Sequence, residues 1–183
     1  MRVAILLAIM LASTSILQAV DSGQRHPYVK QWKRSTFGKL PVARVAAGAG
    51  VAQIRNRPRE WGRGAAGFGK RIGAGFATHA VKTTVEHAVA APLHEDLHYH
   101  RSNKRSFAPR LAHALMSTVV TRNTKTGKRR PAAGRISGHA AAGAVSQAAL
   151  AGANGAATAG LGLVAVAGTN VAREFWPRAD RRR

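Results

Sequence analysis

The segment His94-Glu95-Asp96-Leu97-His98-Tyr99-His100 is the densest collection of chemically capable side chains in the sequence. Imidazole and carboxylate groups are ligands that zinc accepts, and a catalytic zinc site typically takes three of them and leaves a position open for water. Alternate residues of an extended segment point the same way. His94, Asp96, His98 and His100 are therefore the candidate ligands of one cation, with Glu95 as a base. The spacing is not that of H-E-x-x-H, where two histidines share a helix face. The competing and favoured reading is a polar connection between helices whose acids pair with Arg101, Lys104 or Arg105.

Other chemistries find less support. No G-x-S-x-G pattern marks a nucleophile elbow, and Ser137 reads as a helix N-cap. The glycines Gly62, Gly64, Gly67, Gly69, Gly73 and Gly75 lack the preceding strand and the Gly-Lys-Ser/Thr that a phosphate loop requires. Gly69 and Gly73 instead have the G-x-x-x-G spacing of close helix packing.

Charge restricts the partners. The 183 residues carry 29 Lys and Arg against 7 Asp and Glu, a formal net charge of +22 at pH 7. Self-repulsion on that scale opposes compaction unless anions offset it. Arg122, Lys125, Lys128, Arg129, Arg130 and Arg135, around Gly127 and Pro131, are expected to form a basic loop that meets an anionic surface. Arg2, the apolar run Val3 to Leu17 and the small Ala19 read as a signal peptide over residues 1–19. Export would place the protein in the periplasm or cell envelope, where anionic lipid, lipopolysaccharide or cell-wall polymer is the available partner. Nucleic acid is then disfavoured. With no Cys in the chain, disulfides and thiolate metal sites are excluded.

The elements that must position these residues read as helices throughout. Residues 20–37 lack sustained periodicity and are expected to be a flexible linker, followed by one helical domain over 38–177 and a basic tail over 178–183. A short helix is expected from Pro41 to Ile54, ended by Pro58. Phe76, Ala77, Ala80, Val81, Val85, Ala88 and Val89 make the apolar side of an amphipathic helix up to Ala91, with His79, Lys82, Thr83, Glu86 and His87 opposite. A second is expected from Pro109 to about Thr121, burying Leu111, Ala112, Leu115, Met116 and Val119.

From Ile136 to Ala172 no residue is charged. The pattern predicts two helices, near 137–152 and 156–174, turning at Asn154-Gly155. Small side chains recur every fourth position at Ala140, Ala144, Ala148, Gly152, Ala156 and Gly160, a smooth stripe along which another backbone can approach. This hairpin either packs on the protein or at a surface, or inserts in a bilayer, and it offers a route to self-association. The fold class is all-α, a single helical domain with an Ala/Gly-rich C-terminal helical hairpin. Trp61, Phe68, Phe175 and Trp176, each near an Arg or Lys, suit either a lipid interface or the core.

Arg59-Glu60-Trp61-Gly62, Gly67-Phe68-Gly69-Lys70-Arg71, His94-Glu95-Asp96 with Tyr99 and Arg101, and Arg173-Glu174-Phe175-Trp176-Pro177 together resemble an uncharacterised family of exported bacterial helical proteins. The likeness runs over about residues 37–177 and rests on the order of the motifs. It implies export and one helical domain and brings no catalytic role. In that family's pattern Arg and Phe stand where this chain has His98 and His100, which weakens the metal reading. The sequence thus points to a non-enzymatic, cationic envelope protein on an anionic membrane or cell-wall surface. The alternatives are a metal-dependent hydrolase using the His94 to His100 cluster, or a nucleic-acid binder drawn by charge. No cofactor is assigned.

Overall fold

The computed structural model describes residues 27–149 and 154–176. The expected signal peptide, the first part of the expected linker, Gly152 of the small-residue stripe and the basic tail lie outside them. Helices α1 (Pro27–Phe37), α2 (Lys39–Ile54), α3 (Ala65–Ala90), α4 (Phe107–Met116), α5 (Ala133–Ala149) and α6 (Gly155–Phe175) follow in order, with a 3-10 turn at Arg59–Trp61. Strands β1 (Val120–Arg122) and β2 (Arg129–Pro131) pair antiparallel between α4 and α5, Val120 opposite Pro131 and Arg122 opposite Arg129. The fold is all-α apart from this hairpin.

Helix α3 is the mast of the structure, and α1, α2 and α5 all pack on it. The α5 contact depends on missing side chains. A Cβ on Gly134 would stand 2.6 Å from the Glu86 carbonyl oxygen, and one on Gly138 would stand 2.8 Å from that of Lys82. Farther along α5, Gly143 lies against Gly155 and Ala159 of α6, and Gly162 makes room for the His139 ring. The every-fourth-residue spacing is present, but half a turn away from the expected stripe. Gly134, Gly138, Ala142 and Ser146 face inward, whereas Ala140, Ala144, Ala148, Ala156 and Gly160 are at most partly covered. Gly69 and Gly73 are likewise exposed; the close glycine contact in that region is at Gly67, under the Trp61 and Gly62 carbonyls. A stripe of small residues has the same period on either face of an Ala/Gly-rich helix, so period alone could not fix the phase.

The interior is unusually polar. Among the described residues the buried apolar side chains are all alanines: Ala49, Ala90, Ala114, Ala132 and Ala142. Beside them lie Thr36, Arg71, Thr83, Glu86, His87, Glu95, Thr118, Arg135, His139, Asn170 and Glu174, all buried. The large apolar residues expected inside are instead outside, with Leu115, Met116 and Val119 each exposed. On α3 it is the polar side, Thr83, Glu86 and His87, that faces the neighbouring helices. The periodicity found both helices with other bounds, since α3 begins at Ala65 rather than Phe76 and α4 ends at Met116 with Val120 and Thr121 in β1; on α3 it assigned the inward face wrongly, because Gly and Ala on α5 bring the backbone too close for bulky side chains.

Two expectations about local structure are corrected. Residues 27–37 are helical rather than linker, and they dock through polar contacts that leave no apolar period: Trp32 Nε1 donates to Thr84 Oγ1 at 3.1 Å, and the Thr36 and Thr83 hydroxyls lie 2.9 Å apart. The basic loop is in part a hairpin. Asn123 Oδ1 accepts the backbone N–H groups of Lys125 and Thr126, and Gly127 takes φ +67° to turn the chain.

The phase of the small-residue stripe is testable. Gly138→Val is expected to cost about 1–3 kcal/mol through overpacking against α3, while Ala144→Val on the exposed side stays within about 0.5 kcal/mol. Urea unfolding of the two variants measures the difference; the reverse ranking would return the contact to the expected stripe.

Candidate functional site

The four candidate metal ligands do not converge. His94 closes a turn in the left-handed region, with φ 52°, which breaks the extended alternation needed to aim it with the others. Its carbonyl accepts from Thr124 N at 2.7 Å. Asp96 does meet two imidazoles: Oδ1 lies 3.3 Å from His98 Nδ1, and Oδ2 lies 2.7 Å from His100 Nε2, both rings being largely exposed. Among the described residues no group of three or more His, Asp or Glu is disposed to hold a metal ion. Among the described residues Glu95 and Asp96 form no ion pair with Arg101, Lys104 or Arg105, the expected partners; Asp96 uses the histidines instead and Arg101 donates to the Trp176 carbonyl.

Glu95 is committed elsewhere. Its side chain is buried, and its two oxygens accept the N–H groups of Ala133 and Gly134 at 3.0 Å each. These are unpaired donors of the first turn of α5, where negative charge is favourable. Helix α5 therefore begins at Ala133 and is capped from a distance, and Ser137, expected as its N-cap, lies inside it.

Of the basic residues expected at a surface, Arg122, Lys125, Lys128 and Arg129 are exposed. Arg130 is half-buried and donates to the Leu93 carbonyl at 2.7 Å. Arg135 is a correction: it is buried, donates to the Ser117 and Thr118 carbonyls, and has its Nε 3.9 Å from Glu86 Oε1. Its position one turn into α5 carries it beneath α3, away from the loop to which sequence proximity assigned it. Of the acids in the described residues, Glu86, Glu95, Asp96 and Glu174 are engaged within the fold, leaving Glu60 exposed. Among the described residues the charged outer surface is thus mostly cationic.

The C-terminal end of α6 forms a second polar centre. Glu174 is buried and accepts from Tyr99 Oη at 2.8 Å, from Ser102 Oγ at 2.6 Å, from Ser102 N at 3.0 Å and from Arg110 Nε at 3.1 Å. Burial alone would raise its carboxyl; the hydrogen bonds from Ser102, Tyr99 and Arg110 outweigh that and hold the pKa at about 2. The same burial and contact push the Tyr99 hydroxyl upward. Around this centre Arg110 lies 4.5 Å from the Phe175 ring centroid, Phe175 lies 5.0 Å from Phe107, and Arg101 donates to the Trp176 carbonyl. Trp176 itself is 72% exposed.

Neither Tyr99, Ser102 nor Arg110 was singled out as a partner of Glu174 from the sequence. One signal was present: Glu174 is the sole acid between Asp96 and Asp180 in a chain rich in arginine. A scarce carboxylate is one that the fold can hardly leave unused.

The outward side of α6 completes the surface. Ala157, Leu161, Val164, Gly168 and Ala172 recur at helical spacing and are exposed, Leu161 to 70%. By length and composition this helix could cross a membrane, yet only 11% of its most apolar stretch is buried in the protein. Compared with known protein families, curated proteins and solved structures, the chain matches none.

The Glu174 centre fixes a pH dependence. A carboxyl whose folded pKa is depressed contributes stability that is present above its unfolded value, near 4.5, and is lost as pH falls toward about 2. Glu174→Gln is expected to remove that acid-side slope and, by leaving Arg110 without its partner, to cost about 1–3 kcal/mol at neutral pH. Thermal unfolding across this pH range reports both effects; an unchanged slope would place the ionisation elsewhere.

Proposed function

We propose that the protein is a non-enzymatic, cationic helical protein of the cell envelope that seats on an anionic lipid surface. The observation that carries this reading is the outward face of α6, an uncharged stripe left uncovered by the rest of the fold. An apolar stripe needs an apolar partner, which favours lipid over lipopolysaccharide sugar or cell-wall polymer. The aromatic and basic corner at the end of α6, with Trp176 exposed beside Arg101 and Arg173, has the composition of an interfacial anchor.

Seating rather than spanning is the form this takes. Asn170 and Glu174 tie one side of α6 to α4, with Asn170 Nδ2 donating to the Ala114 carbonyl at 3.4 Å and Glu174 held by Arg110. That side belongs to the protein, and the opposite side is left for the lipid boundary, as in an interfacial helix. The hairpin cations Arg122, Lys125, Lys128 and Arg129 add attraction of roughly 1 kcal/mol each near an anionic bilayer. Glu86, Glu95 and Glu174 are buried and Asp96 is engaged by two histidines, so among the described residues little on the surface opposes these cations.

Vesicle co-sedimentation tests this. Binding to vesicles containing anionic phospholipid is expected to fall steeply with added salt, and Lys128→Ala with Arg129→Ala to weaken it by about 2 kcal/mol, roughly thirtyfold. Leu161→Asp is expected to weaken it even at high salt, where the charge it adds is screened and the lost apolar contact is not. Equal binding to neutral vesicles would overturn the electrostatic part, and indifference to Leu161→Asp would overturn the seating of α6.

A further inference from the structure

A cleft of about 850 Å³ opens between α1, α2, α3 and α6, with α5 contributing to its wall. Its cationic lining is Arg34, Lys39, Arg44, Lys82, Arg135 and Arg173, and its one carboxylate is Glu86. Lys82 and Arg135 are spoken for, since Lys82 Nζ lies 2.7 Å from Glu86 Oε2 and Arg135 is held by Glu86 and two carbonyls. The side chains of Arg34, Lys39, Arg44 and Arg173 make no ion pair or hydrogen bond among the described residues. Four uncommitted cations from three helices thus converge on one concave space. Low-dielectric walls of a single sign focus the field and concentrate counter-ions.

Two further features mark the cleft as built for an occupant. His87 and His139 both line it, are 7% and 5% exposed, and have buried Nε2 atoms without any hydrogen-bond partner. His87 Nδ1 lies 2.8 Å from the Thr83 carbonyl and so carries the proton, which leaves Nε2 as an acceptor in the neutral ring. Burial holds His87 below its ordinary pKa and pushes His139 down to about 4, so both rings are neutral at pH 7. The free guanidinium groups beside these neutral rings suit an anionic ligand. The second feature is the apolar share of the lining, Leu40 and Val45 from α2 and Ala165 and Val166 from α6. A bare ion would leave that part of the space unused.

We infer that this cleft binds a single organic phosphate with an apolar moiety, its phosphoryl oxygens held by Arg34, Arg44 and Arg173 and its tail against Val45 and Val166. Guanidinium forks match phosphate oxygens in geometry as well as charge. The phosphoryl head is common to membrane lipids and to soluble organic phosphates, and either source supplies the chemistry that the site recognises. This inference stands apart from the seating of α6, because it concerns a monomeric ligand in a cleft.

Calorimetric titration of the full chain with a short-chain alkyl phosphate, below its micelle concentration, tests the site. One equivalent is expected to bind, the matched alkyl alcohol is not, and inorganic phosphate is expected to compete at least about tenfold more weakly for want of the apolar contact. Arg44→Gln, on the exposed side of α2, and Arg173→Gln are each expected to weaken binding about tenfold, with circular dichroism confirming an unaltered fold. The hairpin pair Lys128→Ala with Arg129→Ala, which weakens vesicle binding, is expected to leave it unchanged. Absence of saturable binding, or indifference to both arginine variants, would overturn the site. Equal affinity for inorganic and alkyl phosphate would overturn the apolar half of the inference and assign a soluble phosphate.

Discussion

The approach of α5 to α3 at Gly134 and Gly138 is the constraint on which the rest of the structure depends. With Cβ positions 2.6 and 2.8 Å from α3 carbonyls, the two backbones admit no side chain between them. Bulky apolar groups are thereby displaced from the centre, and groups small or polar enough to reach around the contact take their place. Glu86 is the clearest case. Burial alone would raise its carboxyl, but Lys82, by charge and hydrogen bond, and Arg135 outweigh this and keep it ionised. A buried carboxylate that has two cationic neighbours is sustainable where one without them is not.

The other polar centres perform the same service at the periphery. Arg71 is 4% exposed and has no carboxylate against it; it donates to the carbonyls of Arg57, Pro58 and Gly62 and to the side chains of Gln53 and Asn56. One guanidinium therefore gathers the whole connection from α2 to α3. Glu95 joins the post-α3 turn to α5, and Glu174 joins α6 to the segment before α4. Gly62, Gly67 and Arg71 lie at the first of these joints, Glu95 at the second, and Tyr99, Arg101, Glu174 and Trp176 at the third.

The all-helical class, the extent of α2 and the turn at Asn154 into α6 were legible in the sequence, because proline, glycine and apolar period act locally. Asn154 even caps α6, its Oδ1 accepting from Ala157 N at 3.1 Å. Which side of each helix turns inward was not legible. That choice depends on the partner helix, and in a chain where glycine and alanine make the contacts, hydrophobicity points to the wrong side. The same ambiguity hid α1, whose docking uses Trp32, Thr36 and His79 in long-range hydrogen bonds that no window of sequence contains. Of the expected anionic-surface residues, Arg122, Lys125, Lys128 and Arg129 are exposed and Arg130 half-buried, while Arg135 left the set because its helix, not its neighbours in sequence, decides its direction. His87 and His139 carried no local signal at all, as the space they share is made by helices far apart in the chain.

The scarcity of bulky side chains inside has a calorimetric consequence. Heat capacity rises on unfolding mainly through hydration of newly exposed apolar area, and exposure of polar area lowers it. A centre made of alanine, threonine, histidine and paired charge sets these contributions against each other, so the stability curve is broad and shallow across temperature. Collapse without correct pairing is correspondingly unrewarded, since there is little oil to hold a loosely packed state together. The molecule is either hydrogen-bonded in register or open.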